Sequence, residues 1–598
     1  MSSTQSENTR AVVVDATTGS VTDSPIQDRI RQDYLGGSCL ATRLWLESSR
    51  LEVDPLSAAN ALVIAPGMLT GFPITAANRT SLVAKSPLTG LLSESSAGGR
   101  FGPRMKAAGV DALTVRGSFD DPSYIVIDGD EGSVKVEKAG ALWGQDVFSI
   151  YEALKERHGE DMDAAVIGPA GENGVHFAAV IFGGRNPASA SRTGMGAVMG
   201  SKNLKAIVVR GGRPPEPEDP EGLSRAMSKL TAWAEGRAGR WGQNGRGGKA
   251  AFAETLDRLP VRNWRDGTFP AIREDRFESL LRQGIPCGTV GAFGTMCLVY
   301  DPKYIASASD LCNRLGLDAI SAGSVVAFAM EAYERGIIDD AIAGRPLHWG
   351  DGEAVLFLLN EVANQQGLGA ILSRGTRAVG KDLGALAEEF AIHVKGLEVP
   401  MHDPRIYTSM AVAYATGNRG ACHLDGMTYY IETGWYPKEM AGIEADLEAL
   451  DSKGKAEIAV KMQDLAGALN ALGLTKSVLD AHISPVEMAR WVECCLGIPY
   501  SPEDLIKAGE RSFNLRRLCN VALGITRKDD RLPPRLLSHP RPSGRATGSL
   551  PFLGEMLHEY YALRGWDQEG LPTLHTLERL GLHEYPEWLG IKTRVLSR

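Results

Sequence analysis

The segment Arg213-Pro214-Pro215-Glu216-Pro217 can continue neither a strand nor a helix, because three of its prolines lack a backbone donor and fix φ. It divides a chain of 598 residues, too long for one core, into parts with different periodicity. Before it, short apolar runs recur between turn signals: Ala11–Val14, Ala61–Ile64, Ala112–Val115, Tyr124–Ile127, Ala164–Ile167 and Ala206–Val209. Their length and β-branched content predict strands, and Thr18-Gly19 and Asp128-Gly129 predict hairpin turns. After it the pattern is helical. Asp318 is a candidate N-cap for a helix over Ala319–Arg335, with Gly336 behind it. Ile458, Met462, Leu465, Leu469 and Leu472 share one face of a second helix that ends near Gly473. Leu537–Leu550 reads as a loop and Phe552–Leu563 as a last helix, and no repeat or low-complexity tract appears. The expected fold class is α+β, with a β-rich cofactor-base domain at 1–211 and two mainly α-helical domains at 212–415 and 416–598.

The net charge is −9, and no basic domain or stripe stands out, so a nucleic-acid partner is not expected. The basic, glycine-rich stretch Arg237–Lys249 reads as a mobile loop. No apolar run approaches the ~18 residues of a membrane span, and the polar N-terminus lacks a signal pattern, which predicts a cytoplasmic protein. None of the eight cysteines is spaced Cys-x-x-Cys, so buried, reduced thiols are expected rather than a zinc ribbon.

Glycine accounts for 68 residues, well above the roughly 7% average. Four glycine-bearing segments suit backbone wrapped around a polar ligand. They are Asn78–Ser81 with Ser95–Gly99, Ser191–Gly196 running into Ser201–Lys205, Gly316-Leu317-Asp318, and Gly417–His423. Glycines let main-chain N–H groups face a phosphate, and Arg79 and Arg192 are placed to pair with it bidentately. The plainer alternative for each segment is an ordinary turn. Gly194-Met195-Gly196 is expected to lead into a strand, unlike a dinucleotide fingerprint, which opens a helix. There is no Walker A loop and no HExxH helix.

Longer stretches carry a resemblance. Lys85-Ser86-Pro87-Leu88-Thr89-Gly90, Ser96-Ala97-Gly98-Gly99, Gly196–Ala206, Cys312-Asn313 with Gly316–Ser321, His402–Arg405, Arg419–His423 and Arg527–Pro533 run in an order that resembles the aldehyde:ferredoxin oxidoreductase family. The resemblance implies one tungsten, or molybdenum, held by the dithiolene sulfurs of two pterins, with a bridging Mg²⁺ and no metal ligand from the protein. It implies cofactor contacts at Arg79, Ser96, Ala97, Gly98, Gly99, Arg192, Thr193, Gly194, Gly196, Asp318, Asn470 and Thr475, and a proton-moving role for His423. It also implies a homodimer and a small-molecule substrate.

The sequence departs from the family in two places. The family holds a [4Fe–4S] cluster with a CxxCxxxC run and a later DxxGLC motif. Here 273–284 contains no cysteine, and the later motif reads Asn470-Ala471-Leu472-Gly473-Leu474-Thr475. Clusters need thiolates, so no [4Fe–4S] cluster is expected. Where the family places a glutamate near the metal, this chain has Ile285-Pro286-Cys287-Gly288-Thr289. Cys287 either faces the metal cavity or fills a shortened loop as a small buried thiol. Three functions follow from the resemblance and its gaps. The first is oxidation of an aldehyde or related carbonyl compound, with electrons leaving to a small acceptor or a redox partner protein. The second is redox-neutral chemistry on the same cofactor, and the third is a cofactor-free binding or structural role.

Overall fold

The computed structural model describes residues 10–244, 258–268, 279–280 and 283–591. All six apolar runs are strands. The strands of the N-terminal region are β1 (Arg10–Asp15), β2 (Ser20–Pro25), β3 (Leu62–Pro66), β4 (Thr80–Lys85), β5 (Leu92–Ala97), β6 (Ala112–Arg116), β7 (Ser123–Asp128), β8 (Ser133–Lys138), β9 (Asp163–Val166), β10 (Val180–Phe182), β11 (Ala188–Ala190) and β12 (Leu204–Arg210). They form two six-stranded sheets, ordered β2-β1-β6-β3-β4-β5 and β11-β10-β9-β12-β7-β8. The pairs β1–β6 and β7–β12 are parallel, and the other pairs are antiparallel. The two predicted turns do join hairpins, β1–β2 and β7–β8.

Period-two alternation sorts each strand between two cores. Val12, Val14, Leu62 and Ile64 from the first sheet meet Ile125, Ile127, Ile207 and Val209 from the second. The helix Phe101–Ala107 adds Phe101 and Met105 to this layer. Alternate residues point away: Val63 and Val83 pack into the large helical core, and Tyr124, Val126 and Val208 into a third cluster with the helix Val147–His158. The helix Gly37–Ser48 covers β3 and β4.

The helical region is centred on Lys455–Leu472, whose residues are buried almost all round. It packs on Pro502–Ala522, Thr408–Thr416, Leu553–Arg564 and Gly37–Ser48. Gly467 and Gly509 let the first two backbones touch: a Cβ on Gly467 would lie 2.7 Å from Cα of Gly509. The expected division at 415/416 falls in the last turn of Thr408–Thr416.

Other expectations need adjustment. The stretch read as a loop from Arg237 continues the helix Ser228–Asn244 as far as Asn244, and 245–249 lie outside the described residues. Leu537 and Ser538 end a short helix, Pro534–Ser538, rather than starting a loop. Met195–Gly200 forms a short helix before β12, so Gly194 does open a helix, though one of only six residues. Gly194 is the N-cap with φ +77°, and a Cβ there would sit 2.1 Å from the His176 carbonyl oxygen. Among the described residues no helix is long and apolar enough to cross a membrane.

Candidate functional site

The site forms where two turns of the helical region are stitched to the sheets. Asn313-Arg314-Leu315-Gly316-Leu317 and Asn470-Ala471-Leu472-Gly473-Leu474 spell the same Asn-x-Leu-Gly-Leu, a similarity too short to register as a repeat. Each follows a helix, and each glycine is left-handed, with φ +74° and +76°. In each, the leucine N–H turns back to close the helix end, Leu317 to Cys312 O at 2.8 Å and Leu474 to Leu469 O at 2.9 Å. Leu317 then bridges Ala178, and Leu474 bridges Ala77. Asp318 N–H donates to Phe177 O, while Arg79 N–H donates to Gly473 O. One turn therefore delivers Asp318 and the other Thr475 to two edges of the sheet domain.

Between them, Arg79 stands just before β4 and its side chain reaches Ser96 on β5. Arg79 Nη2 donates to Ser96 O at 2.8 Å and Ser96 Oγ at 2.6 Å, leaving Nε buried without a partner. Asn78 Oδ1 is likewise buried and unpaired. Gly98 passes so close to Asn78 that a Cβ would lie 2.9 Å from this oxygen, and Gly99 has φ +102° and is exposed. Ala97 is buried at the strand end. Ser95 Oγ donates to Ser191 O at 2.8 Å and lies 2.9 Å from Thr193 Oγ1, which donates to Glu94 O at 3.1 Å. The Ser191–Gly196 segment is thereby fixed to β5, and Gly196 supports it, since a Cβ there would meet Ala179 O at 2.6 Å.

Arg192 and Asp318 are both engaged by protein groups. Its Nη1 pairs with Asp318 Oδ2 at 3.2 Å, and Nη2 donates to Glu398 O at 2.5 Å and Ala421 O at 3.0 Å. Only Nε lacks a partner. With φ +89°, Arg192 is in a conformation that ordinary residues avoid. Asp318 caps Ala319–Glu334, accepting from Ile320 N and Ser321 N, so both carboxylate oxygens are in use. Glu398, unnoticed in the sequence, lies beneath this pair and accepts from Ser321 Oγ, Thr376 N and Thr376 Oγ1.

At the other turn, Asn470 belongs to a buried charge network. Its Nδ2 donates to Glu94 Oε1 at 3.0 Å, and its Oδ1 accepts from Lys476 Nζ at 2.6 Å. Arg516 pairs with Glu94 Oε2 at 3.0 Å, and Arg419 joins Glu94 O to the Asp425 carboxylate. Burial pushes the Glu94 carboxyl upward, but Arg516 and Arg419 outweigh it and hold it below the usual carboxylate range. Burial and the nearby Arg79 bring Lys476 down to about 7. Thr475 itself bonds Ser477 Oγ at 2.9 Å. Apart from Arg419, which belongs to the Arg419–His423 stretch, these charged groups do not stand out in sequence, because the pattern that unites them is spatial.

His423 begins the helix His423–Gly426, on a strand-like approach anchored where Arg192 grips Ala421 O. Burial depresses its pKa well below the ordinary histidine value, with His402, Arg192 and Arg419 adding to the effect. Its Nδ1 is buried without a partner. His402, which sequence reasoning placed only within a motif, lies 4.7 Å away, ring centre to ring centre, and burial lowers it to about 4. Cys287 opens the helix Cys287–Val290 and is half-buried, and a π-helical turn, Gly291–Thr295, follows. π-turns are often found at functional sites. Most of the cysteine-free segment 273–284 lies outside the described residues. Among the described residues no group of three or more His, Cys, Asp or Glu is arranged to hold a metal ion.

Comparison with known proteins agrees with this geometry. The family model for the N-terminal domain of aldehyde ferredoxin oxidoreductase matches residues 11–211, and that for domains 2 and 3 matches 272–582. The tungsten-containing aldehyde ferredoxin oxidoreductase of Pyrococcus furiosus is 33% identical over 96% of this chain and 99% of its own length. The WOR-like subunit of aliphatic sulfonate oxidoreductase from the same organism is 30% identical, covering 96% of this chain and 97% of that one. Among solved structures, the active-site complex BamBC of benzoyl coenzyme A reductase with 1,5-dienoyl-CoA superposes with a TM-score of 0.83 at 26% identity, over 99% of both chains. The chain belongs to the aldehyde ferredoxin oxidoreductase family, several of whose relatives are named as tungsten-containing.

Proposed function

We propose that this protein is a tungsten- or molybdenum-bispterin oxidoreductase that oxidises an aldehyde or related carbonyl compound without an iron–sulfur cluster of its own. The observation that carries the reading is a set of buried polar atoms without protein partners: Asn78 Oδ1, Arg79 Nε, Arg192 Nε and His423 Nδ1. A buried unpaired polar group costs about 1–3 kcal/mol, so four of them around one site argue for a polar ligand that satisfies them. A paired pterin with phosphate arms and a bridging Mg²⁺ fits this donor set, with Arg79, Ser96 and the Gly98-Gly99 backbone holding it. When bound, the metal centre supplies Lewis acidity and a two-electron redox couple.

The remaining steps belong to the chain. Arg79 and Ser96 fix the cofactor edge, and the Arg192–Asp318 pair fixes the turn opposite. His423 is neutral at neutral pH, so Nδ1 is available to take a proton from the reacting carbonyl group's hydrate and to return it. Support for the missing cluster is the threonine at 475 together with the cysteine-free 273–284. Cys297 and Cys312 are buried thiols whose pKa burial drives upward, the opposite of a thiolate ligand. Electrons then leave to a docked acceptor, either a small molecule or a partner chain. Those same substitutions favour one second reading, redox-neutral conversion of a single substrate on the same cofactor.

Metal analysis of protein made in a pterin-assembling host is the test. About one tungsten or molybdenum per chain with no iron is expected. Stoichiometric iron–sulfur cluster would remove the cluster-less half of the reading, and absence of both group 6 metal and pterin would remove all of it. Aldehyde-dependent reduction of a viologen dye then separates oxidation from redox-neutral turnover.

A further inference from the structure

A cleft of about 660 Å³ lies where the sheet domain, the proline-rich linker and the helical region meet. None of the residues assigned to the cofactor lines it. The linker is pinned at both ends, Arg213 N–H donating to Ala107 O and Asp219 N–H to Cys494 O, each at 2.9 Å. Between these anchors Pro215 lines the cleft, and its ring would stand 3.3 Å from a Cβ on Gly71, which lacks one. Gly67 and Met68 line it too, and Met68 N–H donates to Ala471 O at 2.9 Å. The cleft is therefore framed by fixed backbone, part of which also holds the turn Asn470–Leu474.

Leu35, between the helices Asp28–Tyr34 and Gly37–Ser48, faces the same space with φ 59° and ψ −77°. That is the rare γ-turn of positive φ, strained for a residue with a Cβ, and such strain concentrates where ligands are held. Small-molecule sites measure about 300–1,000 Å³, favour domain boundaries and join apolar walls to a few polar groups. All three conditions are met here. Four cations line the cleft, Arg10, Arg31, Lys106 and Arg213, against the carboxylates Asp23, Asp111 and Glu216. Asp23 is committed to Arg10 at 2.6 Å and Asp111 to Lys106, which leaves Glu216 outnumbered. Among the described residues no hydrogen bond or ion pair engages the exposed Arg213 side chain. This balance favours negative charge on a ligand, while Leu35, Met68, Phe72 and Leu496 offer apolar surface to the rest of it.

We propose that this cleft is a second binding site, independent of the metal centre, for a small organic anion: one acid group held by Arg213 and a ring-sized apolar body. The test is titration calorimetry on the purified full chain with two probes of equal shape, naphthalene-2-sulfonate and the uncharged naphthalene-2-sulfonamide. The sulfonate should bind once per chain and more tightly than the sulfonamide. Arg213→Ala, at an exposed linker position, should weaken the sulfonate roughly two- to fivefold, the worth of an exposed charge pair, and leave the sulfonamide unchanged. Leu496→Trp, which fills the cleft, should weaken both. If that variant fails to fold, Arg213→Ala still decides the matter. Absence of binding, equal affinity for the two probes, or sulfonate affinity that Arg213→Ala leaves untouched overturns the proposal.

Discussion

At the scale of single residues, burial decides what His423 can do. Its depressed pKa makes it a neutral imidazole across the physiological range, so turnover should show no step from this group between about pH 6 and 8. His423→Ala should lower kcat by roughly 10²–10⁴-fold, the usual contribution of a positioned acid or base, while metal content per chain stays constant. Unchanged kcat would remove the role. His402 makes a related statement about stability. Its folded pKa of about 4 lies below the ordinary histidine value, so the unfolded chain binds the extra proton first. Its contribution is present above the unfolded pKa and is lost as pH falls from about 6.5 towards 4. Urea midpoints should fall over that window, and His402→Phe should flatten the fall.

At the scale of elements, the stitched turns depend on glycine where backbones touch. A Cβ on Gly67 would lie 2.0 Å from Gly473 N, with backbone on both sides and no flexible side chain to yield. Gly67→Ala should therefore destabilise by at least about 1–3 kcal/mol, the usual range for overpacking, read from denaturant unfolding, and it should reduce cofactor retention by moving Thr475 away from β4. Full stability in that variant would contradict the close contact. The same elements show what the sequence could reveal. Six strands were legible because their short apolar runs are β-branched and bounded by turns, and Ala319–Glu334 because Asp318 caps it. The strands β4 and β5 were harder, since Thr80, Ser81, Ser93 and Ser95 place hydroxyls on buried strands and break the apolar signal. Arg79, Ser96 and His423 could be named as candidates because each sits in a local motif. Glu94, Arg516 and Glu398 were not, because each gains its partners across tens to hundreds of residues.

Across the whole molecule, the second turn encloses more positive than negative charge. Arg79, Arg419, Arg516 and Lys476 influence one another there, against the carboxylates Glu94 and Asp425. Glu94 lies on β5 of the sheet domain, and Arg516 and Asn470 lie on helices of the other region, so this is also where the two halves are electrostatically joined. Removing one partner of such a buried pair leaves a charge without compensation, at a cost of about 3–5 kcal/mol. Glu94→Gln should therefore be far more damaging than its conservative size suggests, and chemical denaturation should show the loss. Glu94 is held low by its arginines, so its stabilising contribution exists above the unfolded carboxylate pKa and disappears as pH falls through the folded one. An excess of buried cations also predicts that the metal-free protein is stabilised by a small dianion. Phosphate should raise its Tm above that in chloride at equal ionic strength, by the mass action of binding to the folded state alone. Arg79→Ala should diminish that rise because it removes a donor from the Asn78–Ser96 edge. If phosphate and chloride give the same Tm in the unmodified protein, the excess charge does not act as an anion site.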